Sequence, residues 1–178
     1  MERYRDGDAG AFDALYGRHK GGVFRYLARQ CGGHGIAEEL FQDVWMNLIR
    51  ARAAYTVQAK FTTYLYRLAH NRLIDHYRAH SAKVAVSFDD TDGPSLDSLE
   101  AARNDDPAVN ADVRQQARQI LQLIESLPAA QREAFLLQQE SDMSVEEIAQ
   151  ATGVSRETAK SRLRYAIARL REGVGGLR

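Results

Sequence analysis

Two segments of this 178-residue chain concentrate side chains able to engage nucleic acid. In the first, FTTYLYRLAHNRLIDHYRAH, aromatic and basic residues interleave along what the spacing predicts to be one helix. Tyr64, Tyr66 and Tyr77 offer ring faces on which unstacked bases can lie, with Arg67, Arg72 and Arg78 placed to meet a phosphate backbone. The competing reading makes the tyrosines core and the arginines surface groups whose stems lie along apolar neighbours, and Tyr77 fits that reading better. The second segment closes the chain, and its signals are sharper. Ser144 with Glu147 three residues on forms a capping box that opens a short helix, Val145 to Ala151, with Ile148 and Ala149 inward. Gly153 supplies the left-handed turn, Val154 packs in it, and Ser155 caps a second helix with Ala159, Leu163, Ile167 and Leu170 as its apolar stripe. A small residue at Ala149 lets the two helices cross closely. The pattern predicts a helix-turn-helix whose second helix exposes Arg156, Thr158, Lys160, Ser161, Arg162, Arg164 and Tyr165 to a DNA major groove. Basic and hydroxyl groups there can bond phosphates and purine edges.

The elements positioning these segments are predicted to be helical throughout. From Ile36 to Ala53, Ile36, Leu40, Phe41, Val44, Leu48 and Ile49 recur at helical spacing, while Glu38, Glu39, Gln42, Asp43 and Asn47 occupy the remainder. Phe12, Leu15, Tyr16, Val23, Phe24 and Leu27 predict a preceding helix or helix pair, with Gly21 and Gly22 as the place of a break. A third helix spans about Phe61 to His80 with Leu65, Leu68 and Ile74 inward. Periodicity then stops. Residues 84–112 contain Asp-Asp, Asp-Gly-Pro and Asn-Asp-Asp-Pro with few apolar residues, and are expected to be a mostly irregular, flexible linker. Helical spacing resumes at Val113 with Ile120, Leu121, Ile124 and Leu127, and Pro128 separates that helix from the next, Ala129 to Gln139. The expected fold class is all-α: two small helical domains, 1–83 and 113–178, joined by an acidic linker, 84–112, the second domain carrying the helix-turn-helix.

Charge follows the same division. The chain has 24 Lys and Arg against 24 Asp and Glu, yet residues 51–83 hold Arg52, Lys60, Arg67, Arg72, Arg78 and Lys83 against Asp75 alone. The stretch 84–112 holds Arg103 against eight acids. Two basic regions separated by an acidic one suggest two places that meet phosphate. A single cysteine, Cys31, rules out an intramolecular disulfide and a four-thiolate zinc site, so a reducing, cytoplasmic location is expected. No stretch is apolar enough to span a membrane, and MERYRDGDAG lacks a signal-peptide core, so no membrane insertion is expected.

In their order along the chain, four stretches resemble a known family. AEELFQDVWMNLIRA is similar to the helix by which bacterial RNA polymerase sigma factors of the extracytoplasmic-function (ECF) group, in the sigma-70 family, dock on the polymerase clamp. FTTYLYRLAHNRLIDHYR resembles the segment that opens and reads the minus-ten promoter element. LPAAQREAFLLQQ and SVEEIAQATGVSRETAKSRLRYAIARLRE resemble the domain that binds the minus-thirty-five element. The resemblance implies a sigma factor that binds core RNA polymerase, directs it to specific promoter DNA and assists melting, with an anti-sigma factor as a further expected partner and with no cofactor or metal. Gln42 and Asp43 match the family's clamp contacts, and Glu39 and Asn47 join them as core-binding residues. Tyr64, Arg67, His70, Asn71, Arg72 and Arg78 are the implied minus-ten contacts, and the loop Ala54 to Lys60 would hold a flipped base. Arg156, Thr158, Lys160, Ser161, Arg162, Arg164 and Tyr165 are the implied minus-thirty-five contacts. Tyr64 stands where the family often has Trp, His70 where Arg is common, and Ala159 where a β-branched residue is usual. The linker has the reach this requires: 29 flexible residues extend to about 100 Å at most, against roughly 60 Å between elements some 17 base pairs apart.

A stand-alone helix-turn-helix regulator would explain the C-terminal motif but would leave the acid-amide and aromatic-basic helices without a task. No enzyme is expected, because the chain has no phosphate-cradling Gly loop, no His-Glu-x-x-His and no Gly-x-Ser-x-Gly. His76 with His80, and Cys31 with His34, are pairs with too few neighbouring ligands to hold a metal.

Overall fold

A computed structural model describes residues 1–81 and 107–175, with backbone alone for residues 81 and 107–112. Every regular element among them is helical: α1 (Glu2–Arg5), α2 (Ala9–Cys31), α3 (His34–Arg50), a short 3-10 turn (Arg52–Ala54), α4 (Phe61–Ser81), α5 (Pro107–Glu125), α6 (Ala129–Ser141), α7 (Val145–Thr152) and α8 (Arg156–Gly175).

The first unit is built from α2, α3 and α4. Asp8 caps α2 by accepting the Ala11 N–H at 3.2 Å, and Gly32 ends it in the left-handed region at φ 65°. A break at Gly21 and Gly22 is not found: α2 runs through both. Gly22 serves packing instead, since a Cβ there would lie 2.8 Å from the Tyr66 hydroxyl and 3.2 Å from the Glu140 carbonyl oxygen. Helical dihedrals tolerate glycine at a modest cost, which a close approach of two other groups can offset. Val23, Tyr26 and Leu27 of α2, Leu40, Val44 and Leu48 of α3, and Leu65 and Tyr66 of α4 form the buried centre. Around it Trp45 meets Tyr16 and Phe12 edge-on, at ring-centroid distances of 4.9 and 5.9 Å. Two inward assignments shift by one helical step. Leu73 is buried and Ile74 only partly so, and Ile49 of α3 is exposed.

In the second unit α6 and α8 pack together, with α7 against α8 and α5 along α8. Ala134, Leu136, Leu137, Ile148, Ala149, Ala159 and Leu163 are its core. The helix α5 begins at Pro107, so the last six residues of the stretch expected to be irregular are helical. Proline lacks the N–H that a first turn leaves unused and holds φ near the helical value, so it starts a helix well. The rest of the expected linker, residues 84–106, lies outside the described residues.

The capping box is present as expected. Ser144 Oγ accepts the Glu147 N–H at 3.2 Å while Glu147 Oε2 accepts the Ser144 N–H at 2.9 Å. An eight-residue helix cannot sustain itself on propensity, so its ends matter disproportionately. Ser144→Ala is expected to lower unfolding free energy by about 1 kcal/mol, read from a urea titration. A change of under a few tenths would show that packing alone holds α7.

Candidate nucleic-acid interface

Helix α3 divides cleanly. Ala37, Leu40, Val44, Trp45 and Leu48 face the core, while Glu39, Gln42 and Met46 are exposed and Asp43 and Asn47 half-exposed. Met46 at 45 % and Ile49 at 37 % exposure place large apolar groups beside the acid-amide face. Asp43 is not a free acid: it accepts from the Arg72 guanidinium of α4, which also lies 3.7 Å from Asp75. An expected polymerase contact and an expected DNA contact are thus partners of one another.

On α4, Arg67, Asn71 and Arg78 are exposed. Tyr66 is core, 1 % exposed, and burial pushes its hydroxyl well above the usual phenol range. It is therefore no platform for a base. Tyr77 is partly buried, donates to the Gln30 carbonyl at 2.5 Å, and is pushed up to about 12 chiefly by burial. This agrees with the core reading of that residue. Tyr64, like Tyr77, is half-buried against the core, and its ring lies edge-on to Tyr55 at 5.1 Å. Before it, Thr56, Val57 and Gln58 of the loop are exposed.

Helix α8 presents Arg156, Thr158, Lys160, Arg164 and Tyr165 outward, with Ser161 and Arg162 half-exposed, and it buries Ala159, Leu163 and Ala166. Arg164 lies over the Tyr165 ring at 5.0 Å. Two of the expected contacts have local duties. Thr158 donates its N–H to Ser155 Oγ at 3.1 Å, and their hydroxyls are 2.8 Å apart. Arg156 pairs with Glu146 of α7 and lies 3.4 Å from Glu157, interactions that hold its guanidinium above the usual range and the Glu146 carboxyl below its own.

The chain matches the family model for Sigma-70 region 2 over residues 15–83 and that for Sigma-70 region 4 over residues 117–170. It is 33% identical over 180 residues to the RNA polymerase sigma factor CarQ of Myxococcus xanthus, covering 99% of this chain and 97% of that one. The chain belongs to the sigma-70 family. It is also 28% identical over 165 residues to the ECF RNA polymerase sigma-E factor of Escherichia coli strain K12, covering 92% of this chain and 86% of that protein, and it is an ECF sigma factor. Among solved structures, the sigma factor RpoE in complex with the anti-sigma factor NepR from Bartonella quintana has the same fold, with a TM-score of 0.74, 21% identity, and coverage of 93% of this chain and 97% of that one. As a sigma factor the protein directs RNA polymerase to promoters in transcription initiation and is not an enzyme. No described helix is long and apolar enough to cross a membrane.

Sequence reasoning missed one feature of this sigma factor, the acids of its second unit. Glu133 of α6 accepts the Tyr26 hydroxyl at 2.7 Å, and the same oxygen lies 2.7 Å from His70 Nδ1. Glu140 accepts from Arg25 at 2.6 Å and from Arg29 at 2.9 Å. Glu147, already committed to the cap of α7, meets Lys60 at 2.8 Å. Lys60 and the Ser144 N–H hold the Glu147 carboxyl below its usual range. Nothing in a linear pattern marks Glu133 and Glu140 as inward residues, because the groups they meet are 63 to 115 positions away.

Proposed function

We propose that residues 1–83 bind core polymerase through α3 and engage the melted minus-ten strand through α4, and that residues 113–178 read the minus-thirty-five duplex through α8. The observation that carries this division of labour is α3. Its inner side is committed to the core, while Glu39, Gln42 and Met46 form an exposed acid, amide and apolar stripe of the kind a docking surface needs. The stretches matching regions 2 and 4 fall within these two ranges. Arg67, Asn71 and Arg78 are exposed on α4, where a strand backbone would run, and Tyr64 is the base platform at the mouth of the loop. The protein works in the cytoplasm, where polymerase is. An anti-sigma protein is its expected antagonist, by analogy with the RpoE relative captured with NepR.

The test uses residues without a structural duty. Glu39→Arg with Gln42→Ala is expected to weaken binding to core polymerase about tenfold, ~1.4 kcal/mol, with thermal unfolding unchanged. Asp43→Arg is expected to lose both affinity and stability, because it sets a second cation against Arg72. Wild-type affinity in the Glu39 and Gln42 variant would remove α3 from the polymerase contact.

A further inference from the structure

The pair His76 and His80, set aside on spacing for want of neighbouring ligands, gains a setting in the fold that spacing does not show. Both lie near the end of α4, His76 half-exposed and His80 exposed. Residues four apart on a helix share a face, and here the two imidazoles stand with ring centroids 4.1 Å apart and planes inclined by 34°. His80 Nδ1 lies 2.9 Å from the His76 carbonyl oxygen. A carbonyl only accepts, so Nδ1 carries the proton, and Nε2 of the neutral ring keeps its lone pair. An imidazole that donates one N–H to a backbone carbonyl and offers its other nitrogen is the arrangement by which proteins orient histidine ligands to metals.

Helix α3 supplies a third donor. It packs along α4, and Asp43 bonds Arg72 across the contact. One turn back along α3 from Asp43 is Glu39, and one turn on along α4 from Arg72 is His76. The exposed Glu39 carboxylate is near enough to act on the charge of His76, so the two helices run antiparallel in this register. The next step sets Gly35 against His80, and a Cβ on Gly35 would meet no atom within 4 Å. Arg72, the cation that would oppose a metal, is bonded to Asp43 and lies 3.7 Å from Asp75. Among the described residues no three His, Cys, Asp or Glu side chains already converge. The two imidazoles are therefore the preformed part of the arrangement, and Glu39 has to swing towards them.

We propose that His76 and His80 bind a divalent transition-metal ion, with Glu39 as third ligand and water completing the shell. Two imidazoles and a carboxylate suit zinc, and also nickel and copper, whereas magnesium and calcium take oxygen ligands. The consequence rests on the assignment of α3 to the polymerase. A Glu39 carboxylate on a metal is not open to a cation of the polymerase, so metal and core polymerase compete for α3.

Zinc chloride is titrated into the full-length protein by isothermal calorimetry, and affinity for core polymerase is measured with and without zinc. Wild type is expected to take up a single zinc ion. His80→Ala and Glu39→Gln are each expected to bind it at least tenfold more weakly, and His34→Ala, at the chain's other Cys and His pair, to match wild type. Zinc at ten times its Kd is expected to weaken wild-type binding to core about tenfold, the limit for mutually exclusive ligands, and that of His80→Ala no more than about twofold. Proton NMR of the wild type needs no variant to fold: zinc is expected to shift the imidazole signals of His76 and His80 and leave that of His19 unmoved. Equal zinc affinity in wild type and His80→Ala, or shifts confined to other histidines, would overturn the site. Unchanged affinity in Glu39→Gln would overturn the third ligand and the competition with it. Zinc binding is read on the free protein, so its failure leaves the docking role of α3 standing. Core affinity indifferent to zinc, with zinc binding lost in both variants, would overturn the competition, and the metal-free Glu39→Arg with Gln42→Ala measurement then reads the role of α3 separately.

Discussion

Arg164→Ala is expected to flatten discrimination among minus-thirty-five sequences, whereas Lys160→Ala weakens binding to all of them alike. Both residues are exposed one helical turn apart on α8, with the opposite face fixed by Ala159, Leu163 and Ala166. Arg164 is held in part by the Tyr165 ring, 5.0 Å away, which limits the orientations its guanidinium must give up on binding. A guanidinium bidentate to guanine contributes about 1 to 3 kcal/mol of discrimination, whereas an ammonium on phosphate carries no sequence information and reduces the salt slope by about one. The measurement is competition between duplexes that differ at single positions, at fixed salt and then across a salt series. Wild-type binding in both variants would exclude α8 from the groove. Arg156 and Thr158 are expected to give smaller effects on specificity, because Glu146 and Ser155 already hold them.

Tyr64→Ala is expected to stay folded, to lose transcription on intact promoter DNA, and to regain it on a template carrying a pre-melted bubble at the minus-ten element. A duplex buries its base faces, so an aromatic platform gains contact only after the strands separate, and each stacked base contributes about 1 to 3 kcal/mol. Activity on the closed template should therefore fall roughly tenfold or more. The geometry fits this better than a core role: Tyr64 is half-buried and meets Tyr55 edge-on, whereas Tyr66 on the opposite side of α4 is fully enclosed. Were Tyr64 a core residue, its truncation would cost about 3 to 5 kcal/mol and no bubble would rescue it. In that case Tyr64→Phe would be silent on both templates. A folded Ala variant with wild-type activity on intact duplex would leave Tyr64 without a role in melting.

Local patterns were legible where one stretch of chain decides its own geometry. The capping box at Ser144 and Glu147, the left-handed Gly153 and the inward stripe of Ala159 and Leu163 all appear where the sequence places them, because capping and helical periodicity involve residues three and four apart. The α3 helix and its outward Glu39 and Gln42 are legible for the same reason. Periodicity was less able to rank candidates on one helix. Tyr64, Tyr66 and Tyr77 are equally plausible platforms by type and spacing, yet one is half-buried beside Tyr55, one enclosed and one tied to a carbonyl of α2. Burial depends on which elements cover a face, and that is not a local property.

The sequence by itself determined that the fold class is all-α, every regular element among the described residues being a helix, that the chain carries a helix-turn-helix with a basic outer face, and that it combines the motifs of a sigma factor in order. These follow from residue type and short-range spacing. The tertiary structure alone decided how the acids of the second unit are used. Glu133 and Glu140 read as ordinary polar helix positions and Glu147 as a cap residue alone, but they face Tyr26, His70, Arg25, Arg29 and Lys60 across a closed contact. It also decided that Asp43 and Arg72, expected to serve different partners, first bind each other. A carboxylate's partner is set by which surfaces pack together, and packing brings together residues that no periodicity relates.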